Sequence, residues 1–330
     1  MASGLPFDDF RGLLAGLPGP DEAAAARTAH LFERFGGAGS RLAEIAVWLA
    51  RWSGRQPAVN RPSVALFAGT HGVAARGVST RPVEATAATV AACGAGDAGV
   101  NHLASAHSLG LKVYDLALHL PTGDICAEAA MDERNCAATM AFGMEAIAGG
   151  PDLMLIGSIR STGDATVAAT LLAALFRGAA ADWTPASAGS DVAQTRLGAV
   201  ETALAFHGAN LRDPLEALRR VGGREFAAMA GAILAARIER IPVVIDGLSA
   251  LAAAAVLHAA NPSAVAHCQL AEAPDEMAAR AAARLGLAPM LAGSYAAGEG
   301  VSAALAAGIV RDAASLFAGY AAQARTAPRS

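Results

Sequence analysis

The sequence predicts an α/β fold, a mainly parallel sheet flanked by helices, and three observations predict it. Short apolar runs recur along the chain, longer Ala-rich stretches of helical character separate them, and the 330 residues are 54% hydrophobic and 16% charged. That composition supports a sizeable core and excludes disorder as the main state. Strands that alternate with helices are joined by crossover connections, and crossovers produce parallel pairing.

The first element with a clear period runs from Arg41 to Trp52, where Leu42, Ile45, Leu49 and Trp52 share one helical face after a loop over Gly36–Ser40. Strands are expected at Val64–Phe67, Val113–Leu118, Leu153–Ile156, Pro242–Ile245 and Ala264–Gln269. The stretch Ala303–Ala322 is helical again, with Arg311 and Asp312 interrupting its apolar character. It is expected to pack back on the N-terminal helices. The change from purely helical to alternating pattern divides the chain into a small helical domain, residues 1–60 with 300–330, and a large α/β domain, residues 61–299.

Charge and composition exclude several functions. Twenty-five basic against 29 acidic side chains give a net charge of −4 without any Lys/Arg block, so the footprint of a nucleic-acid binder is missing and small molecules are the expected ligands. Lys112 is the only lysine and no Gly-Lys-Ser/Thr step occurs, which excludes a P-loop nucleotidase. Cys93, Cys126, Cys136 and Cys268 fit neither a zinc knuckle nor a Cys-x-x-Cys pair and read as buried thiols in a reducing compartment. The beginning, Met1–Gly12, lacks a basic segment followed by an apolar run, and the apolar stretch Gly247–Ala260 is too short to span a bilayer. A soluble, cytoplasmic protein without membrane contact is expected. The eight histidines form no H-E-x-x-H and no cluster with acids, so no metal site is expected, and no G-x-S-x-G elbow marks a serine hydrolase.

In parallel sheets, ligands bind at the carboxyl ends of the strands, so the chemistry is sought in the loops Ala68–His71, His119–Thr122, Gly157–Asp164 and Asp246–Gly247. The loop containing Arg160, Ser161, Gly163 and Asp164, with Thr166 just beyond, has two readings of equal standing. It is an anion cradle at a helix N-terminus, or an ordinary turn capped by Asp164. Asp246 ends a strand and is placed near the crevice; His71, in another strand-end loop, reads first as a histidine bonded into the scaffold. Gly94-Ala-Gly96-Asp-Ala-Gly99 has dinucleotide-binding spacing but follows a helical stretch, so it reads as a helix-ending turn. Glu299 stands between Gly298 and Gly300 before the last helix; by itself this pattern favours an acid stabilised by the helix dipole, in a first helical turn, over a catalytic one.

Taken together, Phe67–Ser79, Glu128–Ile147, Asp213–Gly223, Ala227–Leu234, Ile241–Gly247 and Gly298-Glu299-Gly300 resemble the nicotinate-nucleotide:dimethylbenzimidazole phosphoribosyltransferase family, in order, from about Gly4 to Ala321. The resemblance implies a homodimer with a Rossmann-like large domain and a small domain made from both termini. It also implies transfer of phosphoribose from nicotinate mononucleotide to 5,6-dimethylbenzimidazole, giving an α-ribotide for the lower loop of cobalamin, with no cofactor and no metal. An attacking benzimidazole nitrogen must lose its proton, and by resemblance the general base is Glu299. Ser79 is then assigned to the aromatic-base pocket, and Arg160, Thr166 and Arg196 to the phosphate.

The departures from the family gather in the ligand loops. Where the family writes G-E-M-G-I-G-N-T-T, this chain has Gly157-Ser-Ile-Arg-Ser-Thr-Gly-Asp-Ala-Thr166, which puts Asp164 in place of an asparagine. An aspartate facing a phosphate repels it unless Arg160 compensates. The second phosphate loop becomes Pro185-Ala-Ser-Ala-Gly189, the family lysine becomes Arg196, a base-pocket glutamine becomes Ala88, and Arg81 stands where a neutral residue is common. The S-A-E-P-G-H segment becomes Glu272–Met277, and Val301-Ser302-Ala303 follows the Gly-Glu-Gly. These changes leave two expectations, an enzyme with altered ligand loops or an impaired paralogue that binds a base, nucleotide or partner as a sensor or carrier.

Overall fold

The computed structural model describes residues 5–184, 190–295 and 298–326. Three helices open the chain: α1 (Pro6–Ala15), α2 (Glu22–Arg34) and α3 (Arg41–Ser53). The α3 boundaries follow from local chemistry, because the Ser40 side chain accepts the Ala43 N–H at its start and Gly54 closes its end in a left-handed conformation. Next come β1 (Pro62–Ala68), α4 (Glu84–Ala95), α5 (Gly99–Ala106), β2 (Gly110–Asp115), α6 (Glu133–Met144) and β3 (Leu153–Ser158). The second half holds α7 (Asp164–Phe176), α8 (Ser190–His207), α9 (Pro214–Val221) and α10 (Arg224–Ile238). It ends with β4 (Val243–Ile245), α11 (Gly247–Ala260), β5 (Cys268–Leu270), α12 (Glu276–Leu285) and α13 (Val301–Thr326).

All strand pairs are parallel, in the order β2-β1-β3-β4-β5. This is the expected α/β sheet. Alternation along each strand sends side chains to two cores: Ala65, Phe67, Met154, Ile156, Val243 and Ile245 to one, Val64, Leu66, Leu153, Leu155 and Val244 to the other. The first core is closed by α6, α7, α10 and α11, the second by α3 and α13.

Two strands differ from the sequence expectation. The edge strand β2 ends at Asp115, opposite Ala68 of β1, and Ala117 then takes a left-handed φ of 59° that stops the pairing. The expected strand over Ala264–Gln269 begins instead as a 3₁₀ turn, Pro262–Val265, because the Asn261 side chain accepts the Ser263 N–H ahead of it. At Gly94–Gly99, Gly96 is the left-handed C-cap of α4 and Gly99 opens α5, so that motif is a helix-ending turn. Helix α13 is long and apolar enough to cross a membrane, but half of its apolar window is buried, much of it against α2, α3 and α5.

Candidate active site

The carboxyl ends of β3, β4 and β5 converge with the segment entering α13 on a cavity of about 530 Å³. Its walls carry the carboxylates Asp164, Asp246, Glu272, Asp275 and Glu299 and, as the only basic side chain among the described residues, Arg160. Each of four acids is delivered by a strand end or a helix start: Asp246 follows β4, Glu272 follows β5, Asp164 opens α7 and Asp275 caps α12 through the Ala278 N–H. The N-terminus of α11, Gly247 to Ser249, opens onto the same space, and its N-cap Asp246 makes no side-chain capping bond. A parallel sheet places its loops this way because every crossover returns to the same edge.

Glu299 is held in an uncommon backbone. Its φ is +61°, between Gly298 at +85° and Gly300 at +82°, so three successive residues turn left-handed. That conformation costs a residue with a Cβ about 1–2 kcal/mol, and it aims the carboxylate at the cavity. Gly300 is dictated by packing as well, since a Cβ there would lie 2.9 Å from Leu66 and 3.3 Å from Val64 on β1. Glu299 therefore sits in the turn before α13 rather than in a first helical turn. Its Oε1 is 3.7 Å from Arg81 Nη2, and the same nitrogen donates to Thr89 Oγ1 at 3.1 Å.

Asp246 and Glu272 are almost sealed, at 3% and 2% exposure. Glu272 Oε2 accepts the Tyr295 N–H at 2.9 Å. The N–H groups of Gly300 and Ala303 favour the charged form of Asp246, yet neither of its oxygens makes a hydrogen bond of good geometry. Burial, with Glu272 adding to it, pushes the Asp246 carboxyl up to about 7. The folded protein thus keeps a proton that the unfolded chain releases near about pH 4. That contribution to stability is present at acid pH and is lost as pH rises through about 7. Thermal melts should show Asp246→Asn gaining more over the native protein at about pH 8 than at about pH 5.

On the other side of the Arg160–Gly163 loop, His71 and Glu225 form a buried pair, Nε2 to Oε1 2.6 Å, each side chain 1% exposed. Burial lowers the His71 pKa and Glu225 raises it; the net direction is upward. His71 also lines a second cavity, of about 510 Å³, with Thr162 and His119.

A family model described as phosphoribosyltransferase matches residues 19–327. The nicotinate-nucleotide–dimethylbenzimidazole phosphoribosyltransferase of Rhizobium johnstonii is 56% identical over 326 residues, covering 97% of this chain and 96% of that protein. The protein of the same name from Rhizobium meliloti is 55% identical over 331 residues, at the same coverage. Among solved structures, the nicotinate-nucleotide–dimethylbenzimidazole phosphoribosyltransferase of Thermus thermophilus has a TM-score of 0.81 at 29% identity, covering 90% of this chain and 96% of that one. This chain belongs to that phosphoribosyltransferase family.

Within this family member, the residues singled out in the sequence separate into groups. Arg160, Asp164, Asp246, Gly298 and Glu299 line the main cavity. Ser161 and Thr166 are buried behind it with hydroxyls that make no hydrogen bond, and Gly163, at φ +101°, supplies the bend into α7. Asp164 does not reach outward as a free carboxylate: Oδ2 accepts the Ser161 N–H at 3.1 Å and Oδ1 the Ala165 N–H at 2.6 Å. The carboxylate nevertheless remains in the lining of the main cavity, beside Arg160. Ser79 Oγ accepts the Arg81 N–H at 3.1 Å, on the flank beside Arg81. Arg196, 8% exposed, donates through Nε and Nη2 to the Val78 carbonyl at 3.3 and 3.2 Å. The altered loop Pro185–Gly189 lies outside the described residues.

Sequence reasoning passed over Glu225 and gave Glu272 no role. Glu225 had one signal, an acid directly after Gly222-Gly223-Arg224 in the first turn of a mostly apolar helix. The glycines belong to the pair: a Cβ on Gly69 would come 2.1 Å from Glu225 Oε2, and one on Gly223 would come 2.5 Å from His71 Cε1.

Proposed function

We propose that this chain is a homodimeric enzyme that transfers phosphoribose from nicotinate mononucleotide to 5,6-dimethylbenzimidazole or a similar aromatic base, in cobamide lower-loop assembly. The observation that carries the reading is Glu299, a carboxylate held in a left-handed turn at the edge of an acid-lined cavity. In the reaction, a benzimidazole nitrogen forms the new bond to the anomeric carbon from the face opposite nicotinate. The bond to the pyridinium nitrogen breaks with its electron pair, so nicotinate leaves as a neutral ring nitrogen, and Glu299 takes the benzimidazole N–H proton. Arg81 holds Glu299 ready for that transfer. The cationic pyridinium suits walls that carry five carboxylates.

The phosphate is assigned to Arg160, supported by the open N-terminus of α11, with its left-handed Gly247, on the same cavity. Arg196 and Thr166 support that loop from behind, and Ser79 orients Arg81 at the base pocket. The four described cysteines, all buried and free, accord with a reducing, cytoplasmic setting. The division at residues 60 and 300 is kept as the domain boundary.

Incubation with nicotinate mononucleotide and a panel of benzimidazoles, purines and phenols should release nicotinate and form an α-ribotide. No release with any acceptor overturns transfer and leaves the binding-only paralogue. Light scattering at micromolar concentration should give twice the chain mass; a monomer removes the dimer from this reading. Because Asp164 is bonded to its own loop, Asp164→Asn should change nucleotide affinity by less than about threefold, since its charge makes no direct contact with the phosphate. It should lower Tm by a few degrees because the amide keeps only one of the two acceptor oxygens, read by calorimetry and thermal melting.

A further inference from the structure

We propose that Asp246 and Glu272 form the ribose-diol receptor of the donor nucleotide, accepting its 2′- and 3′-hydroxyl hydrogens and fixing the sugar over the cavity floor. The inference rests on the transfer reading above and names a role that reading leaves open. Asp246, at the end of β4 and only 3% exposed, lines the cavity with both oxygens lacking a well-formed hydrogen bond. The Gly300 and Ala303 N–H groups approach Asp246 without closing a well-formed hydrogen bond on either oxygen, and buried polar atoms left so are rare in native structures, so this group suits a donor that arrives with the ligand. Among the described residues, no ion pair joins either acid to an arginine, lysine or histidine. Glu272, equally buried, commits Oε2 to the Tyr295 N–H and lines the same cavity, which leaves Oε1 for the ligand.

The chemistry of the donor narrows what these oxygens can meet. At neutral pH the phosphate and the nicotinate carboxylate of nicotinate mononucleotide only accept hydrogen bonds, and the pyridinium nitrogen has no hydrogen. Its only donors are the ribose hydroxyls. An ionised carboxylate only accepts and a protonated one keeps an acceptor oxygen, so in either state Asp246 and Glu272, at the ends of parallel strands, can receive a ribose hydroxyl hydrogen. Arg160 and the α11 N-terminus line the same cavity and take the anionic end, so acceptors and donors on the nucleotide find opposite partners on the protein.

The test is binding and turnover of nicotinate mononucleotide and its 2′-deoxy and 3′-deoxy analogues by the native protein, Asp246→Asn and Glu272→Gln. The native protein should bind at least one deoxy analogue ~10- to 100-fold more weakly than the ribonucleotide, as expected for loss of a hydrogen bond to a charged group. In Asp246→Asn or Glu272→Gln that discrimination should fall below about threefold, with the ribonucleotide itself weakened and the effect appearing in Kd and KM more than in kcat. Equal binding of all three nucleotides by the native protein overturns the proposal without any variant, so a variant that fails to fold leaves it falsifiable. Transfer without ribose discrimination would overturn this receptor and keep the enzyme. Ribose-dependent binding without nicotinate release would keep the receptor and overturn the enzyme.

Discussion

Replacing Glu299 by glutamine should abolish phosphoribosyl transfer, by ~10²- to 10⁴-fold in kcat, while Tm stays within a few degrees of the native value. The amide keeps the shape of the side chain and the left-handed turn, because the backbone at this position is set by Gly298, Gly300 and the β1 wall behind Gly300. What it removes is the capacity to take a proton from the attacking base. Arg81 is the ion-pair partner of Glu299. At 3.7 Å and partly exposed, the ion pair contributes little to stability, so an Arg81→Ala change should leave Tm nearly unaltered as well. Steady-state kinetics and thermal melting of Glu299→Gln decide the matter, and an unchanged rate removes Glu299 from the mechanism.

Glu225→Gln should cost about 3–5 kcal/mol of stability, because it removes the counter-charge that favours the protonated form of the buried His71 ring. Against a typical total of about 5–15 kcal/mol, this corresponds to a fall in Tm of ~5–15 °C. The pH dependence has a definite sign. In the native protein the His71 pKa is raised, so the pair's stabilisation is fully present below the ordinary histidine value of about 6.5. It is lost as pH rises through the folded-state pKa. In the variant the unpaired ring is forced neutral, and the deficit relative to the native protein should be largest at acid pH and shrink towards about pH 8. Denaturant unfolding at about pH 5.5 and about pH 8 reads the difference. A His71→Asn, Glu225→Gln double variant should lose less than the sum of the single changes, because both charges go together.

The two predictions rest on residues that the sequence revealed unequally. Glu299 was legible in the chain: a single acid between two glycines ahead of a long helix is a local pattern, and its φ of +61° is the local consequence of those neighbours. The general-base role proposed for it, by contrast, came from resemblance, since spacing alone favoured a dipole-stabilised acid. Asp246 was legible for a topological reason, as the residue after the apolar run Val243–Ile245 in a parallel sheet.

By itself, the sequence determined the class of the fold and the edge that carries the main cavity. Hydrophobic runs at strand length separated by helical periods permit little besides a parallel sheet with crossovers, and the order of the runs fixes which loops share an edge. The end of β2 and the start of β5 escaped because they depend on where a neighbouring strand stops and on a side-chain turn at Asn261, not on hydrophobicity. Tertiary structure alone decided the partnerships. His71 meets Glu225 across 154 positions of chain and Asp246 meets Glu272 across 26, while Asp164, which the sequence set against a phosphate, turns onto the N–H groups of its own loop. Burial and charge pairing act through space at a few ångströms, and a linear chain records neither the distance nor the desolvation that gives each contact its strength.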